Sequence, residues 1–335
     1  MKQKELFKLL DKIQEQGPQT ETHERILFID GLNLFFRNFA VLNMVNPLGI
    51  HIGGLGGFFR SLGAMIRQIN PTQVYVVFDG AGSANNRKNI MPEYKSGRDL
   101  QRITNWDAFD DKDQMVRIIQ YLKTLPVKTV SIDKVEADDI IAYLSKSVIN
   151  HPKDKSFIIS SDKDFLQLVS ENVIVYRPME KEYYTPKTVI DKYKISPHNF
   201  ILHKTLLGDN SDKIKGVKGL GEKGLLKKFP ELIEKDMNWD DILDICENKI
   251  SDHAVYARII HGQSDLEKNY KIMDLSNPML SVKDKEWLNG VVESNDLPYY
   301  PDQFVAMYNE DQIGGLIRNV EFWVKDCFQN LVIKK

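Results

Sequence analysis

The stretch VEADDIIAYLS, Val135 to Ser145, places Glu136, Asp138 and Asp139 within four residues and follows them at once with Ile140, Ile141, Tyr143 and Leu144. Like charges crowded against an apolar run repel one another and resist losing water. Asp is also a poor residue inside a helix, so propensity does not account for the cluster. Two readings are open at this point. The acids complement the dipole of a helix that starts near Ala137, or a divalent cation sits against them. The choice depends on what the rest of the chain brings to the same place.

RILFID (25–30) reads as a short buried strand that ends in Asp30, and VYVVFD (74–79) as a second that ends in Asp79. VKTVSI (127–132) is a third, leading into the acidic stretch. SFIISS (156–161) is a fourth and runs into Asp162 and Asp164; NVIVY (172–176) is a fifth. Residues 53–70 have a helical pattern, and residues 80–113 are polar and charged without a core period. Strands that alternate with helices predict an α/β fold with a parallel sheet covered on both faces. From about Ser196 onward helical periods dominate. The expected organisation is a short amphipathic helix and linker over 1–24, an α/β domain over 25–195, and a helical domain over 196–335.

Composition sets the outer limits. The chain has 335 residues, enough for a full core and two domains, with 42% hydrophobic and 27% charged residues. No apolar run is long enough to span a bilayer, and the charged N-terminus does not read as a secretory signal. Two cysteines, Cys246 and Cys327, argue against a disulfide framework and for a reducing, cytoplasmic setting. Seven histidines are scattered without zinc spacing. The net charge of −2 argues against a chain that is basic throughout, while leaving room for local asymmetry.

In a parallel sheet the strand ends share one edge, where open α/β folds build their sites. Asp30, Asp79, Glu136, Asp138, Asp139, Asp162 and Asp164 fall there, and Asp209 and Asp212 in LLGDNSDKI follow. A lone acid at a strand end is usually a cap or a turn residue. Here nearly every predicted strand delivers one to the same edge. Nine close carboxylates would have to take up protons unless cations offset them. Two hard, oxygen-seeking ions such as Mg²⁺ remove that difficulty and suit phosphoryl displacement.

The basic residues are local. RKNIMPEYKSGRDLQR (87–102) carries Arg87, Lys88, Lys95, Arg98 and Arg102, with Tyr94 beside Lys95, so a base could stack while cations meet phosphate. A solvated loop is the plainer account of such a run; its place directly after Asp79 favours the functional one. The second piece, GDNSDKIKGVKGLGEKGLLKKF (208–229), spaces Gly216, Gly219 and Gly221 between two helical patterns. Lys213, Lys215, Lys218, Lys223, Lys227 and Lys228 surround them. Glycines let backbone amides approach phosphate, and lysines neutralise it. A dinucleotide site would want this pattern straight after the first strand, and it is far from there.

The order of these pieces resembles the flap endonuclease and 5′-to-3′ exonuclease superfamily, in FIDG, VVFDG, R…YKSGR, VEADDIIA, ISSDKDFLQLV and LLGDNSDKIKGVKGLGEKG, over roughly residues 25–230. NWDAFDD resembles the ribonuclease H branch of T-even phages. The resemblance implies a PIN-like nuclease core with a helical arch and a helix–three-turn–helix. It implies a first metal held by Asp30, Asp79, Glu136 and Asp138, and a second by Asp162, Asp164, Asp209 and Asp212, with Asp139 as a further acid. Mg²⁺ is the expected ion, Mn²⁺ a substitute, and K⁺ a guest of the Gly216–Gly221 turn. Lys95 and Arg98 are implied above the metals as catalytic groups. Branched or nicked DNA and RNA–DNA hybrids are the implied partners of a monomeric, non-membrane enzyme, with a single-strand-binding protein or sliding clamp as a protein partner. The same residues argue against three other readings. A catalytically silent binder of branched DNA would have lost metal ligands, and none is lost. A small ribonuclease on this core would lack the glycine–lysine hairpin. An aspartyl phosphatase would carry a second Asp where Leu32 stands.

Overall fold

The computed structural model describes residues 23–97 and 108–333. The expected helix over 1–16, Arg98, Arg102 and the start of NWDAFDD lie outside the described residues. Six strands form one sheet: β1 (Arg25–Asp30), β2 (Gln73–Val77), β3 (Lys128–Val130), β4 (Lys155–Ile159), β5 (Val173–Arg177) and β6 (Glu182–Tyr184). Their order is β3-β2-β1-β4-β5-β6, with β1 to β5 parallel and β6 antiparallel to β5. All five predicted strands are present, and β6 is the addition. Three residues are too few to show an alternating pattern.

Register positions the site. Asp30 pairs with Val77, and Ile29 with Ile159. The C-terminal ends of β2, β1 and β4 are therefore level, and the residues just past them share one edge.

The faces follow from the period of two along each strand. In β1, Ile26 and Phe28 enter one core while Leu27 and Ile29 enter the other. The first core is closed by the helix Ala137–Ser147 and by apolar residues from Phe200 to Leu288. The second is closed by α1 (Gly31–Val41), α2 (Gly53–Ile69) and residues Phe304 to Leu331. The helical C-terminal region thus wraps both faces of the sheet rather than enclosing a core apart from it. In the final helix, Val320–Ile333, Trp323, Val324, Cys327, Phe328 and Leu331 are buried, an apolar stripe at helical spacing. Both cysteines are free and buried.

The sequence reading lacks several helices. α1 is capped by the Asp30 side chain, which accepts from Asn33 N. α3 (Asn85–Ile90) lies in the stretch without a core period, and α4 (Ala108–Leu122) starts in it.

Candidate active site at the C-terminal edge of the sheet

Asp30 sits at the end of the central parallel strand β1. Its Oδ1 accepts from Asn33 N at 3.0 Å and its Oδ2 from Ser160 Oγ at 3.0 Å. Burial pushes its carboxyl up to about 7, and the nearby Asp79 and Asp162 charges add to the rise. Asp79 lies two residues past β2 and accepts from Ala137 N at 2.6 Å, which ties the strand end to the first turn of α5 (Ala137–Ser147). Burial raises its carboxyl as well.

The acidic triplet divides. Glu136 is buried; its Oε2 accepts from Lys95 Nζ at 2.7 Å and Tyr94 Oη at 3.0 Å, while its Oε1 has no hydrogen-bond partner. Burial and the Asp138 charge push Glu136 up to about 7. Asp138 is partly exposed and meets Arg87 Nη2 at 3.4 Å. Asp139 is turned away. It accepts from Arg87 at 2.7 and 3.2 Å and from Met279 N at 2.9 Å. Burial raises its carboxyl to about 6 even with the guanidinium beside it.

Arg87 and Tyr94 are therefore placed otherwise than the sequence suggested. Arg87 is 2% exposed and also donates Nε to the Ile272 carbonyl at 2.8 Å. Tyr94 is 2% exposed, with Lys95 Nζ 5.0 Å from its ring centroid. In these positions the guanidinium faces acids and the phenol ring has no open face for a base. Lys95 keeps a fifth of its side chain exposed. Its φ of +52° is the left-handed conformation, fixed by its N–H donating to the Asp212 carbonyl at 3.0 Å. Burial alone would lower the Lys95 ammonium, but Glu136 and Asp138 hold it above its ordinary value.

The second group of acids is organised by a lysine that the sequence reading missed. Lys204 lies on α7 (Phe200–Leu207), with Pro186–Tyr193 preceding it as α6. Its Nζ is 2.6 Å from Asp164 Oδ1 and also pairs with Asp209 Oδ2. Burial pushes Asp164 up to about 7 despite that partner. Burial works against Asp209 too, yet bonds from Lys204 and Ser211 hold it down at about 2. Asp162 Oδ1 accepts from Asp164 N at 2.8 Å. A nearly buried lysine in the apolar run FILHKTLL, five residues before Asp209, is the signal that could have found it.

Two cavities make the edge concave. The larger, about 640 Å³, is lined by Asp30, Asp79, Glu136, Asp138 and Asp162, with Lys95 and Arg37. The smaller, about 470 Å³, is lined by Asp162, Asp209, Lys163, Arg177 and Lys204. Asn33, Ser161 and Asp162 border both. Six of the nine predicted acids thus line this pair of cavities; Asp139, Asp164 and Asp212 line neither. Among the described residues, no three of the nine bring ligand oxygens within 4.8 Å of one another, so they surround a space rather than touch.

The glycine–lysine segment folds as a two-residue ladder, Gly208–Asp209 with Ile214–Lys215, followed by α8 (Glu222–Lys228). Gly216 passes so close to the Leu207 carbonyl that a Cβ would collide with it, and Gly219 has φ +80°. Lys213, Lys215, Lys218 and Lys223 are all exposed, and Gly221 precedes α8 as its N-cap. The turn is pinned from behind by Arg258, which donates to the Lys218 carbonyl at 2.9 Å.

Residues 25–194 match the family described as 5′-3′ exonuclease, N-terminal resolvase-like domain. A 5′-3′ exonuclease of Aquifex aeolicus is 32% identical over 254 residues, 75% of this chain and 81% of that one. DNA polymerase I of Bacillus subtilis is 31% identical over 234 residues, 68% of this chain but only 26% of the polymerase. The flap endonuclease of bacteriophage T5, solved with DNA and metal ions, has a TM-score of 0.62 at 21% identity, covering 87% of this chain and 100% of that one. The T5 5′-exonuclease with bound zinc gives 0.61 at 21%, covering 92% and 99%. At these identities the two structures share the fold of this chain.

Proposed function

This chain belongs to the 5′-3′ exonuclease family, and from that premise we propose a metal-dependent 5′ nuclease that hydrolyses phosphodiesters at 5′ ends and 5′ flaps of branched or nicked DNA, with RNA–DNA hybrids in the same substrate class. The acidic basin carries the reading. Its donor set is all oxygen, as a hard divalent cation prefers. Glu136 offers an oxygen with no hydrogen-bond partner; burial, with the Asp79 and Asp162 charges, holds Asp30 near 7, and burial, with the Asp138 charge, holds Glu136 there. A cation in the basin would return both to the ionised form.

On this reading Asp30, Asp79, Glu136 and Asp138 would hold one Mg²⁺, and Asp162 and Asp209 a second, with Asp164 and Asp212 supporting from behind. Mn²⁺ shares the oxygen preference and would substitute. Bound, the pair would supply Lewis acidity and a lowered pKa for water. The chain's own groups do the rest. Lys95, at the rim beside Glu136, offsets charge on the phosphate. Lys204 neutralises Asp164 and Asp209 when substrate is absent. Arg87 and Asp139 act as a buried pair that orients Glu136 and Asp138. The exposed lysines around Gly216–Gly221 grip duplex backbone without reading bases, and the carbonyls of that turn suit K⁺.

Product mapping on labelled 5′-flap, nicked and RNA-primed duplexes tests the proposal. Cleavage in Mg²⁺ that leaves a 5′-phosphate and a 3′-hydroxyl, and none in EDTA, is expected. Equal binding with no product under either condition overturns it.

A further inference from the structure

At the other end of the sheet a different set of donors converges. His23, His151 and Asp154 each offer a ligand atom, and these atoms lie within 4.8 Å of one another. The two imidazole rings lie 5.3 Å apart and nearly parallel, at 15°. The sequence gives no hint of this, because 127 residues separate the two histidines.

The location is structural. His23 immediately precedes Glu24 and the start of β1, and Asp154 immediately precedes β4. Arg25 and Lys155 are register partners, and Lys155 N donates to the Glu24 carbonyl at 2.9 Å. The acidic basin lies at the far end of β1, about 20 Å away at 3.3 Å per residue.

Asp154 is fixed in place. Its Oδ1 accepts from Glu24 N at 3.0 Å, and its Oδ2 from Asn150 N at 3.0 Å and His151 N at 2.8 Å. Burial opposes ionisation there, but those three amides hold the carboxyl below its ordinary value. The result is a pre-oriented anion beside two imidazoles. His151 Nδ1 accepts from Lys153 N at 3.2 Å, which sets the ring. Two histidines and a carboxylate, with a further position for water, are the donors of a zinc-type site. The nine acids at the opposite edge offer only hard oxygen.

We propose that His23, His151 and Asp154 bind a borderline transition-metal ion such as Zn²⁺, at a site separate from the acidic basin that fastens the start of β1 to the turn before β4. The site does not depend on the nuclease reading. Its role is to fix the first residues of the central strand that carries Asp30 at its other end.

The test is Zn²⁺ binding to the full chain by calorimetry in excess Mg²⁺, which occupies oxygen-donor sites, with the visible absorption of Co²⁺ as a second readout of imidazole coordination. One equivalent is expected in the wild type. His23→Gln and His151→Gln should each weaken it at least tenfold, with the far-UV circular dichroism unchanged, whereas Asp30→Asn should leave it intact. Zn²⁺ should raise the melting temperature of the wild type and of Asp30→Asn but not of the histidine variants. No binding to the wild type, equal binding in the histidine variants, or binding lost in Asp30→Asn alone would overturn the proposal. Each of these results is separable from the flap assay, which reads the acidic basin.

Discussion

At the scale of the residue, adjacent acids have opposite duties. Asp138 faces the cavity and Asp139 faces Arg87. Successive residues on a helix point about 100° apart, so only one of the two can look into the basin. The letters cannot say which, because packing decides it. Asp162→Asn should reduce flap cleavage by at least a thousandfold while leaving DNA binding nearly unchanged, measured by single-turnover kinetics and by titration in Ca²⁺; retained turnover would remove Asp162 from the site. Arg87→Ala should behave differently. It leaves Asp139 buried without its cation and Glu136 with Lys95 alone, a loss of about 3–5 kcal/mol, seen as a melting temperature roughly 10 °C lower. Arg87→Lys should not rescue it, since an ammonium cannot reproduce the fork to both oxygens of Asp139. Strand-end acids were readable because a charge closing an apolar run is an anomaly. Lys204 is harder to see, because one lysine within a helical period is ordinary until its burial between Asp164 and Asp209 is known.

At the scale of the element, the five parallel strands were readable from short β-branched runs, and the helix Ala137–Ser147 from its period. Helix α1 was hidden by its start, where one residue, Asp30, both ends the strand and caps the helix. The glycine–lysine hairpin was legible in its glycines, and the structure gives two of them separate reasons: contact with the Leu207 carbonyl for Gly216 and a left-handed backbone for Gly219. Gly216→Ala should therefore destabilise the turn and weaken duplex binding, and because the added Cβ also meets Gly208 N beside Asp209, cleavage should fall with it. Lys218→Ala is the cleaner probe of charge. It should weaken binding about equally across sequences and lower the salt slope by about 1 if the lysine neutralises one phosphate. A sequence-dependent loss, or an unchanged slope, would assign Lys218 to something other than backbone contact.

At the scale of the whole molecule, the sheet collects buried acids at one edge and covers both its faces with helices, none of which, among the described residues, is long and apolar enough to cross a membrane. That arrangement has a pH signature. Asp30 and Glu136 titrate near 7 in the folded chain, far above ordinary carboxylates. Between about pH 4 and 7 the folded state retains protons that the unfolded state has released, so without metal stability falls as pH rises through that window. Asp209, held at about 2, has the opposite sign; its contribution is present above about pH 4 and is lost as pH falls toward 2. The metal-free melting temperature should be lower at pH 8 than at pH 5, and Mg²⁺ should raise it more at pH 8, by differential scanning fluorimetry. An equal Mg²⁺ effect at both values would separate the cation from these acids. The most direct measurement of the central claim is an anomalous difference map from crystals soaked in Mn²⁺. Two peaks are predicted, one among Asp30, Asp79, Glu136 and Asp138 and one beside Asp162 and Asp209; a map with no peak in that basin would contradict the account.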